Sequence, residues 1–445
     1  MKKERAVILG AGESGTGAAI LAKKQNFDVF VSDKGIIKSN YKTLLEKHNI
    51  PFEEGLHTEE KILNADFIIK SPGIPDTAEL IKNALSQNIP VVSEIEFAGK
   101  YTDAKMICIT GSNGKTTTTE LTYHILKNAG MNVGLAGNVG KSLALQVAEN
   151  NFDVFVVELS SFQLDGMKDF KADIAVLLNI TPDHLNRYEN KFENYINSKL
   201  KIIQNQTETD AFIYCADDDV ITSEIAKRLI KAKQFPFSIK KSVKQGAYKK
   251  DKQFVTNINQ KQFTMENGLL ALEGEHNMYN SMAAGITAKL NKISDTQLKK
   301  SLSDFTGVEH RLEKYLKIRN IQFINDSKAT NVNSVWYALQ TVNEKIILIM
   351  GGQDKGNDYG MLKDLIRRKV KAVVALGVDN APIIKAFEET VPVYDTNSME
   401  SAVNISYQLA DEGDTVLLSP ACASFDLFKN YEERGQKFKE AVRNL

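Results

Sequence analysis

Over nearly its whole length the chain alternates short runs rich in β-branched residues with amphipathic segments long enough for helices. This alternation restricts the fold to parallel α/β units, because parallel neighbours need a crossover and a helix is the usual one. In the first block the pattern predicts strands at residues 5–9, 28–32, 66–70 and near 91–92. A polar stretch around 100–105 then separates it from a second block with strands at 106–110, 153–159, 173–179 and 211–215. Residues 240–272 are Lys- and Gln-rich with short alternating runs, which read as small strands and hairpins added to that sheet. A helix at about 277–289 and a polar stretch at 294–307 close the block. The third block carries strands at 322–324, 345–350, 371–376 and 415–418. The expected fold class is therefore α/β in three domains, 1–98, 99–308 and 309–445, the outer two Rossmann-like and the central one of the mononucleotide-binding P-loop type.

A length of 445 residues exceeds what one hydrophobic core holds, consistent with several domains. Lys plus Arg and Asp plus Glu each total 56, so no net field draws the chain to nucleic acid or an anionic membrane, and bound anions must be held locally. The apolar run after the charged N-terminus is too short for a signal peptide, and no segment approaches the roughly 20 apolar residues of a membrane span. Cys108, Cys215 and Cys422 are odd in number and widely spaced, which supports neither a disulfide framework nor a zinc site. These features lead us to expect a cytoplasmic protein that acts on small molecules.

The strongest chemical signal follows the strand at 106–110. Gly111-Ser-Asn-Gly-Lys-Thr116 opens a helix-length segment that stops at Gly130. Glycines let backbone N–H groups approach phosphates, Lys115 neutralises the β/γ region, Thr116 reaches Mg²⁺, and the helix N-terminus adds a favourable field. The loop is shorter than the common P-loop pattern, because Ile109 stands where that pattern has glycine. A second loop, Gly10-Ala-Gly12-Glu-Ser-Gly15, follows the first strand, and Asp33 closes the second. By itself this is the dinucleotide fingerprint, and it leaves an NAD-dependent oxidoreductase fused to a nucleotide-binding module as a rival reading.

Thr110-Gly-Ser-Asn-Gly-Lys-Thr-Thr117 resembles the ATP loop of the Mur ligases and folylpolyglutamate synthases. Further segments resemble Mur ligase motifs in the family's order: Leu135-Ala-Gly-Asn-Val-Gly140, Val157-Glu-Leu-Ser-Ser-Phe-Gln-Leu164 and Asn179-Ile-Thr-Pro-Asp-His-Leu-Asn-Arg187. Gly274-Glu-His-Asn-Met-Tyr-Asn280, Glu309-His-Arg-Leu312 and Asn325-Asp-Ser-Lys-Ala-Thr-Asn331 continue the series. The segment from Ser419 to Gly435 is similar to the D-glutamate-adding member in particular.

The resemblance implies phosphoryl transfer from ATP to the alanyl carboxylate of UDP-N-acetylmuramoyl-L-alanine, then attack by the amine of D-glutamate, in a protein expected to be monomeric. It implies two Mg²⁺ ions, with Thr116, Glu158, His184 and Lys199 as metal residues, Lys199 as a carbamate. Lys115, His184 and Lys199 are the implied catalytic residues. ATP would meet Gly111, Ser112, Asn113, Gly114, Lys115, Thr116, Thr117, Asn277, Asn280, Arg311, Asp326 and Lys328. The UDP substrate would meet Gly12, Ser14, Gly15, Asp33, Ser71, Gly73, Asn138 and Ser160, and D-glutamate would meet Thr330, Lys355, Ser424 and Tyr431. Taken without the family, Lys199 reads as an ordinary solvated lysine, since unpaired lysines are mostly exposed. The chain departs from the family's pattern in Lys34, where a small hydroxyl residue is expected, and in Tyr431, where phenylalanine is.

Overall fold

The computed structural model describes residues 3–272, 274–354 and 356–445. Its contacts divide the chain into two compact units, Met1–Ala271 with Asn277–Phe305, and Leu272–His276 with Thr306–Leu445.

The first unit holds two sheets. One contains β1 (Arg5–Leu9), β2 (Asp28–Asp33), β3 (Phe52–Glu54), β4 (Phe67–Lys70) and β5 (Val91–Ser93), all parallel in the order β3-β2-β1-β4-β5. The order reverses beside β1, so the loops after β1 and β4 open a crevice at the carboxyl edge, where such sheets bind ligands. The other sheet contains β6 (Lys105–Thr110), β7 (Val133–Gly137), β8 (Val154–Glu158), β9 (Ile174–Leu177), β10 (Ala211–Cys215) and β11 (Lys233–Ser238). β12 (Gly246–Lys250), β13 (Gln253–Ile258) and β14 (Lys261–Glu266) extend it as an antiparallel meander, in the order β14-β13-β12-β11-β10-β9-β6-β8-β7. Every residue of β8 and β9, and all of β6 after Lys105, is buried. Their unbroken apolar composition is that of strands covered on both faces.

The second unit holds one sheet: β15 (Glu313–Ile318), β16 (Ile321–Asn325), β17 (Ile346–Gly351), β18 (Val370–Leu376), β19 (Val393–Thr396) and β20 (Thr415–Ala421), in the order β15-β16-β20-β17-β18-β19. Only the β15–β16 pair is antiparallel. Alternate residues of β17 feed two cores, Ile346, Leu348 and Met350 on one face and Ile347 and Ile349 on the other.

The main strands lie where the pattern predicts. The stretch at 294–307, read from sequence only as polar, contains a helix, Asp295–Asp304, capped by the Ser294 side chain. Its few apolar residues, Leu298 and Leu302, are four apart and face inward, which is enough to seat one side of a polar helix.

Buried carboxylates join the two sheets of the first unit. The helix Glu94–Gly99 follows β5, and Glu94 and Glu96 are 3% and 2% exposed. Glu94 accepts the Ala144 N–H at 2.6 Å, and Glu96 accepts the N–H groups of Lys168, Asp169 and Phe170 at 2.9–3.2 Å. Close approach is secured by Gly17, where an added Cβ would lie 1.9 Å from the Ser142 Oγ, and by Gly99, where it would lie 2.5 Å from the Phe170 ring.

Burial pushes the Glu94 carboxyl up to about 7, against the lowering effect of the Ala144 N–H. Between about pH 4.5 and 7 the folded chain then keeps a proton that the unfolded chain has released, so stability falls as pH rises through this window and levels off above it. Glu94 alone should contribute a loss of about 2.5 kcal/mol between pH 5 and pH 8. Urea unfolding followed by circular dichroism should show this slope in the wild type and its disappearance in Glu94→Gln. The only tryptophan, Trp336, lies in the second unit and serves as an internal control.

Candidate active site

The carboxyl ends of β6, β8 and β9 bring the phosphate loop, Glu158 and Asn179 together. β6 delivers Thr110, and the helix Lys115–Asn128 begins directly after Gly114, whose φ of +83° is left-handed. A Cβ there would also meet the Asn280 Oδ1 at 2.5 Å, so glycine is required twice over. The loop is tied down from the end of β9. Asn113 N–H donates to Asn179 Oδ1 at 2.8 Å, Asn179 Nδ2 donates to the Asn113 carbonyl at 3.0 Å, and Ser112 N–H donates to the Asn179 carbonyl at 2.9 Å. Ser112 Oγ donates to the Thr181 carbonyl and accepts the Thr181 N–H, while Tyr195 OH lies 3.1 Å from the same oxygen. Lys115 Nζ donates to the Gly111 and Ser112 carbonyls, both at 2.8 Å, which folds its charge over the loop.

Thr116 and Thr117 are buried on the first turn of the helix. Thr118 donates to Asn280 Oδ1 at 3.1 Å, and Asn280 Nδ2 donates to Asn277 Oδ1 at 3.1 Å. Both asparagines therefore lie on one buried face of the helix Glu275–Leu290, behind the phosphate loop.

Lys199 is not the solvated lysine that its sequence context predicts: it is 1% exposed, on the helix Phe192–Leu200. Its Nζ donates to Thr110 Oγ1 at 3.1 Å and lies 5.4 Å from the Tyr195 ring centre. Burial and then the nearby Lys115 cation push its pKa well below the usual lysine range, against the pull of Asp183, Glu158 and Asp165. Glu158 is also 1% exposed. Its Oε1 accepts from Asn138 Nδ2 at 2.7 Å, and its Oε2 is buried with no hydrogen-bond partner. An orphaned carboxylate oxygen of this kind, deep in a polar site, fits a bound cation. His184, in the loop after β9, has a φ of +52° and packs against Phe162. A separate trio, Glu309, His310 and Glu313, is also close enough to share a metal ion, but both its carboxylates accept from Lys439 Nζ, at 2.6 and 2.8 Å.

In the loops after β1 and β4, an added Cβ at Gly10 would lie 2.8 Å from Ser71 Cβ, and one at Gly15 would lie 1.8 Å from the Gly10 carbonyl oxygen. One at Gly12 would meet nothing within 4 Å. Asp33 Oδ2 accepts the Ala11 N–H at 2.6 Å, so the carboxylate ending β2 also braces the glycine loop. Ser14 lies in the first turn of the helix Glu13–Lys24, and Gly73 lies two residues beyond Ser71. Ser160 caps the helix Ser161–Asp165 in a capping box with Gln163.

In the second unit Asp326 is buried and accepts from Ser419 Oγ at 2.8 Å. Burial raises its carboxyl to about 6, against the lowering effect of Arg311. Lys328 Nζ lies 5.2 Å from the Tyr431 ring centre, Ser424 is 2% exposed and Thr330 is exposed. Lys355 lies outside the described residues. Sequence reading missed Arg434, which is 1% exposed and donates to the Ser327 and Cys422 carbonyls at 2.8 and 3.1 Å.

Comparison with known proteins gives matches along most of the chain. Residues 5–80 match the MurD N-terminal domain, 109–288 the Mur ligase middle domain, and 310–422 the glutamate ligase domain of Mur ligases. The chain is 59% identical to the UDP-N-acetylmuramoylalanine--D-glutamate ligase of Bacteroides fragilis, covering 99% of this chain and all of that one. The protein of the same name from Salinibacter ruber is 40% identical, with 100% and 99% covered. Among solved structures, the UDP-N-acetylmuramate-alanine ligase MurC of Thermotoga maritima aligns with a TM-score of 0.64 at 20% identity, covering 99% of each chain. A pseudomurein peptide ligase type C of Methanothermus fervidus aligns with a TM-score of 0.63 at 21% identity, also covering 99% of each.

The Asn179 side chain holds both backbone groups of Asn113, its N–H and its carbonyl. Its replacement by alanine should therefore weaken binding of a fluorescent ATP analogue about 10-fold, the loss expected from two hydrogen bonds of about 1 kcal/mol each when part is regained through water. Unchanged affinity would show that the loop keeps its shape without this clamp.

Proposed function

The chain belongs to the Mur ligase family, and from that premise we propose that it joins D-glutamate to the alanyl carboxylate of UDP-N-acetylmuramoyl-L-alanine, with cleavage of ATP to ADP and phosphate. The observation that carries this reading is the 59% identity to a ligase of that name over 99% of the chain. The reaction belongs to peptidoglycan precursor synthesis, and the enzyme acts as a cytoplasmic monomer. Among the described residues no helix is long and apolar enough to cross a membrane. The region 1–98 carries the UDP substrate, 99–308 carries ATP, and 309–445 carries the amino acid.

In the first step a carboxylate oxygen of the alanyl group attacks the γ-phosphorus of ATP, and ADP leaves. The resulting acyl phosphate is attacked at its carbonyl carbon by the amine of D-glutamate, and the tetrahedral intermediate collapses with loss of phosphate. Lys115 exchanges its loop carbonyls for phosphate oxygens and neutralises charge as it moves to the leaving group. Thr116, Glu158 and His184 would hold one Mg²⁺ and carbamylated Lys199 a second. When bound, these ions supply positive charge to the phosphate oxygens and the acceptor carboxylate.

Lys199 suits this role because its surroundings disfavour the ammonium form. Only the uncharged amine has a lone pair to bond the carbon of carbon dioxide. The proton then leaves to solvent and an anionic carbamate remains, which exchanges a buried positive charge beside Lys115 for a negative one. For D-glutamate, Thr330, Ser424 and Tyr431 supply contacts, together with Lys355. Inverting the centre would strand the amine or a carboxylate, and an unpaired buried charge is strongly disfavoured.

Phosphate release with UDP-N-acetylmuramoyl-L-alanine and a panel of amino acids should depend on D-glutamate. Comparable release with L-glutamate or meso-diaminopimelate would move the assignment to another amino-acid-adding member. Lys115→Ala should keep its fold and lower turnover by at least about 100-fold, the loss of one clamp on a transferring phosphoryl group. Lys199→Ala should be nearly inactive and be restored in part by acetate. Labelling with ¹³C-carbon dioxide should give a carbamate resonance absent from that variant, and an active wild type without the resonance would refute the carbamate.

A further inference from the structure

Arg187 connects the two loops that the proposed reaction must bring to one substrate. It ends the short helical turn Leu185–Arg187, and its side chain leaves the second sheet's loop for the first sheet's. The guanidinium donates to the Gly73 carbonyl at 3.4 Å and the Pro72 carbonyl at 3.5 Å, long contacts that leave most of its donor capacity uncommitted. Its Cζ lies 4.5 Å from the centre of the Phe162 ring. The Pro72–Gly73 turn belongs to the loop whose Ser71 abuts Gly10, so the cation stands over the same crevice as the glycine loop. Phe162 is shared: His184 packs on it at 5.2 Å and Tyr188 stacks at 6.2 Å with planes 15° apart. An exposed arginine is ordinarily mobile, and it binds an anion better when its plane is fixed in advance. Here an aromatic ring fixes the plane and two carbonyls fix its direction.

We propose that Arg187 binds the diphosphate of the sugar nucleotide, with Phe162 as the positioning residue that holds its guanidinium beside the glycine loop. The inference rests on the sugar-nucleotide reading above. It adds a cation to the glycine-loop site, and it ties occupancy of that site to the loop bearing His184. The substrate's alanyl carboxylate shares the chemistry that would attract an arginine. UDP, which has the diphosphate without the carboxylate, separates the two.

The test measures UDP and UDP-N-acetylmuramoyl-L-alanine binding by calorimetry, and the kinetic constants for both nucleotide substrates, with folding monitored by thermal melts. Arg187→Gln keeps an amide to donate to the Gly73 carbonyl but removes the charge. It should raise the Kd of UDP at least 10-fold and the KM of the sugar nucleotide similarly, while the KM of ATP changes less than 2-fold. Phe162→Leu should move the same constants in the same direction by a smaller factor, and Phe162→Tyr should restore them, which a merely space-filling ring would not require. Unchanged UDP affinity in Arg187→Gln overturns the proposal. Weakened binding of the full substrate with unchanged UDP affinity does so too, by assigning the cation to the carboxylate. Wild-type protein that binds UDP but releases no phosphate with D-glutamate would strike the proposed reaction and leave the Arg187 assignment standing, whereas wild-type protein without UDP affinity would remove both.

Discussion

The chemistry of the first unit depends on one unfavourable arrangement, a lysine amine buried beside a second lysine at the mouth of the phosphate loop. Burial is the main penalty on the ammonium form of Lys199, and the nearby Lys115 cation adds to it. What holds the amine there is local. Thr110 accepts from Lys199 and donates to the Leu159 carbonyl, so the last residue of β6 links the amine to the segment that follows Glu158. Tyr195, one helical turn before Lys199, lies under the amine and also reaches Ser112 in the loop. The phosphate loop, the buried amine and the orphaned Glu158 oxygen are thus fixed by shared residues and cannot be displaced independently.

Much of this fold was legible because buried parallel strands announce themselves as apolar runs. Several of the strands that escaped notice lack that signature, although β7, apolar and mostly buried, was also missed. β3, Phe-Glu-Glu, is three residues long, and β15 is half charged, carrying Glu313, Lys314 and Lys317 at an antiparallel edge. β11 carries Pro236 and a polar start, and tertiary pairing with β10 overrides its weak local preference. The helix at Asp295–Asp304 was hidden by polarity, although Ser294 was present as an N-cap signal.

The candidate site divides along the same line. The phosphate loop declares itself through glycine spacing between a strand and a helix, a local property. Lys199 could not be read locally, since nothing in its helix separates a buried lysine from an exposed one; its burial comes from Thr110 and Tyr195 packing around it. Asn179 and Arg434 were missed for a related reason. Each acts on backbone groups far away in sequence, and such contacts leave no spacing pattern. Glu94 and Glu96 are the sharpest case, since an acidic helix start usually signals solvent, whereas here both carboxylates accept N–H groups from a helix and a loop packed around the neighbouring sheet.

Glycine shows how one residue type can carry two kinds of information. Gly10 and Gly15 are dictated by the protein itself, because a side chain at either would collide with Ser71 or with the Gly10 carbonyl. Gly17, just beyond the fingerprint, is likewise set by Ser142 and Leu145 at the start of the helix Leu143–Glu149. Gly12 differs, since a methyl group there would touch no protein atom. Its φ of −75° is open to any residue, so neither packing nor backbone conformation explains its glycine. Gly12 is also the N-cap of the helix Glu13–Lys24, where the free N–H groups of the first turn favour an anion. In the proposed reading the constraint on it comes from outside the chain, from a sugar nucleotide whose diphosphate approaches the helix terminus closely. Of the three glycines in the fingerprint, Gly12 is the one whose identity packing and backbone conformation leave unexplained.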